Sequence, residues 1–499
     1  MSVAAGSNRP QRSQGPATRV TVAEPRIASF GRVRNNCFWG PVVGDEQIDA
    51  LVRHYAGRPA ALGGSPESTA LSPQQSDLWR AARALAATPV FLATVVFRLR
   101  GPVHCAALAE AVRRLSLRHD LLRTVFENGA ARLGEPPELR VVEAADSAED
   151  LVRGIARTPF RFGEEPLFRV TLVRRAEDDH LLILTCHQLV IDGYGQNLLL
   201  QEFARLYRAE TRGEPDDLPE IKEPYQETAR LLRNPDPAVR RGDEEFWTSR
   251  LSDLPVMGLP ADLPGPEGAA LAPTGAVETV LPDPDGAVVA GLRRLRVNLF
   301  ALFTAGTMAM LHRYTGQTDL WVTTVVDNRL TPESQAHVGP LAGPRVIRAR
   351  FAADTTFTVL ARAVQREVWA TMERQHSPFR HVLAAVAGDG ADLLNLGSVG
   401  VTVTPSAQLP DWSPGDVEPL AFDPFEGEPS AGSPLALLVE EQAGSYRLRL
   451  EFDESRFSHG RAHDMVSTIA DAVVAAAADP QRSLASWRGL TSRDLGSVS

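Results

Sequence analysis

Apolar residues fall into two tracts of strand-like and helix-like patterns, parted by a stretch crowded with proline and glycine. In the first tract Thr88–Leu99 is β-branched and apolar and reads as a buried strand. Ala106–Arg118 carries Leu108, Val112 and Leu115 at helical spacing. Phe168–Arg174 and His180–His187 read as two strands joined by the polar turn Ala176–Asp179, a hairpin. The second of these holds the unbroken run Leu-Leu-Ile-Leu-Thr-Cys, as expected of a strand covered on both faces. Gln196–Ala209 follows as a helix with Leu199, Phe203, Leu206 and Tyr207 on one side. Leu254–Gly286 is the proline- and glycine-rich part and reads as a long surface crossing. The second tract starts near Ala290, with helices at Leu299–Arg313, Thr358–Glu373 and His463–Ala478 and strands at Leu320–Val326, 395–404 and 434–452. Ahead of both tracts, residues 1–43 are irregular, Gln47–Tyr55 is spaced as a short helix, and Gly57–Thr69 has linker composition. The pattern predicts an α/β (α+β) chain built as two halves.

Composition narrows the class. A chain of 499 residues with 43% hydrophobic content has ample material for real cores, which excludes a wholly disordered protein. The longest uncharged apolar stretch, Leu299–Leu311, is shorter than the ~20 residues a bilayer span needs. Residues 1–30 lack the apolar run of a secretory signal, so the expected location is cytoplasmic, with no membrane partner. Cys37, Cys105 and Cys186 have no paired spacing, which argues against a disulfide framework or a zinc cluster, and no metal site is expected. The formal net charge is −10, and nearly all the basic residues are arginine, with Lys222 the one lysine. An acidic chain is a poor nucleic-acid binder. The charge is uneven, however. Residues 1–35 hold six arginines against Glu24, a net +5 that leaves −15 on the rest. That basic arm reads either as a solvated tail or as a dock for an acidic partner.

The sharpest local feature is His187-Gln188-Leu189-Val190-Ile191-Asp192-Gly193-Tyr194-Gly195, where a buried strand ends and a helix is due to begin just beyond Gly195. Strand-to-helix junctions hold polar groups rigidly beside clefts, although a histidine there is most often a hydrogen-bonded structural residue. Glu177-Asp178-Asp179-His180 has metal-ligand residue types but sits in the hairpin turn, where a solvated turn is the simpler reading. Gly339, Gly343 and Pro344 do not make a phosphate loop, because no Lys-Ser/Thr follows. The acidic, proline-rich segment Asp411–Gly432 reads as a lid or latch or as a plain surface loop.

The chain resembles the condensation domains of non-ribosomal peptide synthetases, in the superfamily of chloramphenicol acetyltransferase-like acyltransferases. The family's His-His-x-x-x-Asp-Gly appears here as His187-Gln188-x-x-x-Asp192-Gly193. Leu71-Ser72-Pro73-Gln74-Gln75-Ser76-Asp77-Leu78-Trp79 is similar to its opening segment, and Arg118-His119-Asp120-Leu121-Leu122-Arg123-Thr124-Val125-Phe126 to its Arg-His-Glu-x-Leu-Arg-Thr-x-Phe. His312–Asp319 with Val325–Arg329, Arg374–Phe379, and Phe246-Trp247 with Leu251 continue the resemblance in order, over about residues 68–487. The resemblance implies two chloramphenicol acetyltransferase-like lobes in a V with a central tunnel: an N-terminal lobe over 68–233 and a C-terminal lobe over 234–490. A basic extension covers 1–67 and a tail 491–499. It leaves no room for an adenylation or carrier domain, which implies a free-standing protein. Peptidyl or acyl carrier proteins bearing thioesters on phosphopantetheine are the implied partners, with a small-molecule nucleophile and no bound cofactor. The second histidine of the motif works in mid-tunnel, and its aspartate makes a structural salt bridge. Carried over by position, the bridge is Asp192 with Arg329, while Gly193 holds the loop and Tyr194 and Gly195 line the tunnel.

The mid-tunnel position, however, is Gln188. A carboxamide does not titrate near neutral pH and cannot act as a general base, but it donates and accepts hydrogen bonds. Alternation along the strand places His187 on the side opposite Gln188 and Cys186 on the same side as Gln188, which leaves His187 as base or Cys186 as nucleophile as secondary readings. Gly195 stands where the family often has serine, and Gly339-Pro340-Leu341-Ala342-Gly343-Pro344 lacks the family's Asn-Thr. Matching scaffold motifs beside drifting tunnel motifs leave two functions open. One is acyl transfer to an amine or hydroxyl in natural-product assembly, with Gln188 positioning the nucleophile. The other is an inactive condensation-like module that recruits or scaffolds a partner.

Overall fold

The computed structural model describes residues 70–487 apart from 145–148, 266–271, 330, 376–397, 405–411, 413–415, 420–424, 426–427 and 429–432. The short helix expected at Gln47–Tyr55, the linker at Gly57–Thr69 and most of Arg374–Phe379 lie outside these residues.

The first half opens with α1 (Pro73–Ala84), β1 (Leu92–Arg100), α2 (Cys105–Arg118) and the small hairpin β2 (Thr124–Glu127) with β3 (Ala130–Leu133). It continues with β4 (Leu139–Glu143), α3 (Glu149–Arg157), β5 (Phe168–Ala176), β6 (Asp179–His187) and α4 (Gly193–Arg212). Strand β6 is buried from His180 to His187 and pairs antiparallel with β1 on one side and β5 on the other. Strand β4 adds parallel to β5. Strand β1 starts at Leu92 rather than Thr88, because Leu92 N–H bonds back to Pro89 O in a turn that Thr88 braces through its hydroxyl on Leu85 O.

Helices α5 (Tyr225–Arg233) and α6 (Pro237–Leu251) lead into the second half: β7 (Thr274–Pro282), α7 (Ala287–Leu295), α8 (Leu299–Thr315), β8 (Asp319–Val326), β9 (Gly343–Arg350) and α9 (Phe357–Met372). There follow β10 (Val399–Thr404), β11 (Asp416–Pro419), β12 (Leu435–Gln442), β13 (Ser445–Asp453) and α10 (His459–Ala478). The second sheet runs β7-β13-β12-β10-β8-β9. Helix α8 is buried from Ala301 to His312, with Asn298 capping its first turn, so its largely apolar sequence makes it the spine of the second core.

Two segments depart from the sequence pattern. The proline-rich crossing Leu254–Gly286 contains β7, an edge strand that pairs along its whole length with β13. An edge strand is half solvated, so its composition is close to that of a loop. Within Asp411–Gly432, β11 leaves the second half and pairs with Phe97–Arg100 at the outer edge of the first sheet. Trp412 and Phe425 on this segment are buried in the first core, Trp412 edge-on to Phe203 at 5.2 Å. Among the described residues no helix is long and apolar enough to cross a membrane.

Candidate active site where the two lobes meet

Strand β6 ends at His187, and the five residues to Asp192 turn the chain into α4 while fully buried. Main-chain bonds fix this turn: His187 N–H to Leu167 O, Gln188 N–H to Phe91 O and Val190 N–H to His187 O, all near 3.0 Å. The Gln75 carboxamide adds a bond from Nε2 to Leu189 O at 2.9 Å. Gln75 itself is locked in a capping box with Ser72, which explains why the opening Leu-Ser-Pro-Gln-Gln motif belongs to the site.

His187 is a brace. Its Nδ1 accepts the Leu189 amide at 3.1 Å, and its ring packs on Phe91 and edge-on to Phe162. Burial pushes its pKa down to about 3, so at neutral pH it is an uncharged imidazole with its acceptor nitrogen already used. Gln188 is buried at the strand end, and its side chain is the first polar group after β6.

Asp192 is the node of the site. It caps α4 by accepting Gly195 N–H on Oδ1 at 2.8 Å, so the helix starts at Gly193, earlier than the apolar spacing suggests. Arg329 grips both its oxygens, Nη1 on Oδ2 at 2.8 Å and Nη2 on Oδ1 at 3.0 Å. The amides of Leu341 and Ala342 donate to Oδ2 at 3.0 and 2.9 Å. Arg329 and Asp192 side chains are 0% and 4% exposed, and Arg329 also donates to Asp327, His337 and Gly339 carbonyls. Of this pair's polar atoms only Arg329 Nε lacks a partner among the described residues, and a buried ion pair held this way fixes geometry more than it adds stability. Here it ties the first lobe's helix start to the second lobe's loop 339–342.

Tyr194 extends that tie. Its ring lies over the Arg329 guanidinium at 4.3 Å, and its hydroxyl donates to Gln335 O at 3.1 Å. Gly195 has no room for a side chain, since a Cβ would sit 3.1 Å from Asp192 Oδ1 and 3.2 Å from the Gly339 amide. Gly339 is tighter still, because a Cβ there would enter the Tyr225 ring and meet Leu121 Cδ1 at 2.8 Å. The Tyr225 hydroxyl lies 3.2 Å from Ser72 Oγ and 3.3 Å from Pro340 O, and burial raises its pKa.

Sequence reasoning passed over three of these groups. Tyr225 belongs to no chemical motif, and the segment 339–344, which departs from the family's residue types, acts through backbone amides that have no letter in the sequence. His337 is buried beside Tyr225, its Nε2 without a partner among the described residues, and burial with the nearby charges of His119 and Arg329 holds its pKa down to about 4. The Arg118-His119 motif resolves into a buried cluster on Glu202, with His119 Nε2 at 2.7 Å and Arg118 Nε at 2.8 Å. Burial alone would raise the Glu202 pKa, but hydrogen bonds and charge from His119 and Arg118 outweigh it and hold the carboxyl below its usual range. Cys186, the other thiol near the turn, is buried inside β6. In the hairpin turn, Asp179 is held by Arg98, Arg100 and Arg175, and no group of carboxylates, histidines and cysteines fit for a metal ion occurs among the described residues.

A family model described as condensation domain matches residues 66–494. Among curated relatives, phosphinothricin tripeptide synthetase PhsB of Streptomyces viridochromogenes is 27% identical over 439 residues, 82% of this chain and 36% of its own length. The beauvericin nonribosomal cyclodepsipeptide synthetase of Beauveria bassiana is 28% identical over 385 residues, 73% of this chain and 12% of its own. The chain thus spans a minor part of the curated relatives it matches. Among solved structures, the X-domain from teicoplanin biosynthesis superposes with a TM-score of 0.71 at 22% identity, covering 85% of this chain and 99% of that one. The first condensation domain of the CDA synthetase gives 0.69 at 18% identity, with 85% and 99% covered. These likenesses show the chloramphenicol acetyltransferase-like fold.

Proposed function

The chain belongs to the condensation-domain family, and from that premise we propose that it transfers an acyl group from a carrier-protein thioester to an amine or hydroxyl nucleophile at the junction of the lobes. The observation that carries this reading is the Asp192 node. Five donors from both lobes hold the turn that presents Gln188, so the machinery that positions the mid-tunnel residue is intact. The nucleophile attacks the thioester carbonyl, the carbon–sulfur bond breaks, and the proton lost by the nucleophile ends on the departing phosphopantetheine thiol. Gln188 orients the nucleophile through its carbonyl oxygen or steadies the oxyanion through its NH₂. Base catalysis supplies roughly 10²–10⁴-fold, whereas approximation supplies about 7–11 kcal/mol, so a tunnel without a base retains the larger share. The phosphopantetheine comes on the carrier, and the chain's own residues hold no cofactor in this reading.

A second reading, a non-catalytic module that recruits a partner, is favoured by one observation. Neither residue of the His187-Gln188 pair supplies a free base near neutral pH. The X-domain from teicoplanin biosynthesis, seen in complex with OxyB, is a member of similar fold. Intact-mass spectrometry of a loaded carrier protein mixed with candidate nucleophiles separates the two. Transfer by wild type that Gln188→Ala abolishes supports the enzyme. An inert wild type that gains turnover only as Gln188→His supports the recruiting module.

A further inference from the structure

Helix α9 shows an unusual outer face. Residues 359, 362, 366, 369 and 372 follow one another at helical spacing and are all exposed: Val359, Arg362, Arg366, Trp369 and Met372. Trp369 is 61% exposed, although an indole offers a large apolar surface that ordinary solvated helices bury. Arg362 Nε donates to Leu295 O at 3.0 Å, so the C-terminal turn of α7 abuts this face and brings the exposed Arg293 and Arg296 near it, while the exposed Arg294 donates to Ala477 O of α10. Arg296 occupies the left-handed C-cap position of α7 at φ 57°, where glycine is the usual occupant, so a cationic side chain stands there against local backbone preference.

None of these five arginines has a carboxylate within ion-pair distance among the described residues. The nearest acidic neighbour on α9, Glu367, is engaged by Arg250 at 3.0 Å. On a chain of net charge −10 this is a concentrated cationic patch with an aromatic anchor at its end, offset on α9 only by the charge of Glu367 beside Arg366. A basic patch alone would suit any polyanion. The exposed Trp369, Met372 and Val359 within it suit a partner that brings apolar side chains along with its acids.

We propose that the outer face of α7 and α9 docks a separate partner protein through an acidic helix that sets apolar residues against Trp369 and carboxylates against Arg293, Arg296 and Arg366. The proposal does not depend on whether the Gln188 site turns over.

The test uses the full chain and fluorescence anisotropy. The probe is a fluorescein-labelled 21-residue peptide made of three Leu-Glu-Glu-Leu-Leu-Glu-Ala repeats, with a control in which every Glu is Gln. The expected result is binding by the acidic peptide alone, weakened at least tenfold between 50 and 300 mM salt and at least tenfold in Arg293→Glu/Arg366→Glu and in Trp369→Ala. Among the described residues neither arginine makes a hydrogen bond or an ion pair, although the charge of Arg366 acts on Glu367, and circular dichroism checks that the variants stay folded. Arg140→Glu, on the edge strand of the other sheet, should leave binding unchanged. Equal binding by wild type and the double variant, or no acid-dependent binding, would overturn the proposal. So would tighter binding of a 20-nucleotide single-stranded DNA through the same residues, tighter peptide binding after removal of residues 1–69, or concentration-dependent self-association lost in Trp369→Ala. Those outcomes would name a nucleic acid, the chain's own N-terminal segment or a second copy as the occupant.

Discussion

Asp192→Asn is the most informative single change, because it keeps the volume and the helix cap while removing the charge that Arg329 answers. The oxygen facing Gly195 N–H survives, so the cap contribution of about 1 kcal/mol is retained. The new NH₂ falls where Arg329 Nη1 and the amides of Leu341 and Ala342 now donate, turning three acceptor contacts into donor–donor clashes. Removing one member of a buried ion pair costs about 3–5 kcal/mol, and that range already contains the penalty for stranded amides, so we expect a loss of that size. Arg329→Leu should fall at the lower end, since Asp192 keeps three amide donors. In the double variant Asp192→Asn/Arg329→Leu the two losses should fail to add by about 2 kcal/mol, because each single change already breaks the same ion pair and the double variant leaves neither charge stranded. Urea titration followed by tryptophan fluorescence reads both lobes, with Trp79 and Trp412 in the first core and Trp247 and Trp321 in the second. A loss under about 1 kcal/mol for Asp192→Asn, or additivity within about 0.5 kcal/mol, would refute the claim that this pair couples the lobes.

Other outcomes follow from the same geometry. Because burial lowers the His187 pKa to about 3, the unfolded chain takes up a proton below about pH 6.5 while the folded one does not; its stability is full above that pH and falls toward pH 3, by about 2 kcal/mol at pH 5. The stability difference between pH 7.5 and pH 5 should therefore shrink by about that amount in His187→Phe, and identical slopes in the two proteins would contradict it. Gly339→Ala should lose about 1–3 kcal/mol by forcing the loop off the Tyr225 ring, with partial recovery in the Tyr225→Leu background; thermal melts decide, and an unchanged melting point would show that the loop yields freely. Trp412→Ala should cost about 3–5 kcal/mol and lower the first lobe's stability although residue 412 follows β10 of the second sheet, which hydrogen exchange on β1 and β6 would register.

Where the chain repeats a simple period, local sequence was enough. Helix α2 follows from 3.6-residue spacing on one buried face, while β6 and α8 are legible as apolar runs whose lengths suit a covered strand and a buried helix. The pattern was less legible at α4, whose start is set by the Asp192 cap rather than by apolar spacing, and at β7, whose solvated edge dilutes the signal. The site divides the same way. His187, Gln188 and Asp192 stand out as an unusual junction. The partners of Asp192 in the second lobe include Leu341 and Ala342, which act through amides that any residue except proline carries. For that reason the altered residue types at 339–344 do not disturb the tie.

Residue type and order by themselves determined the chemistry available at position 188. A carboxamide at 188 excludes a titrating base there in any fold, because its protonation lies outside the working range of pH. They also determined the two α/β halves, since hydrophobic period is a local property. Only the tertiary structure decided that His187 is a spent acceptor, that the amides of Leu341 and Ala342 join Arg329 on Asp192, that residues 416–419 complete the first sheet, and that Arg362 on the face of Trp369 meets the end of α7. Those facts depend on which distant groups share a few ångströms of space, and burial and pairing exist only after the chain has closed on itself.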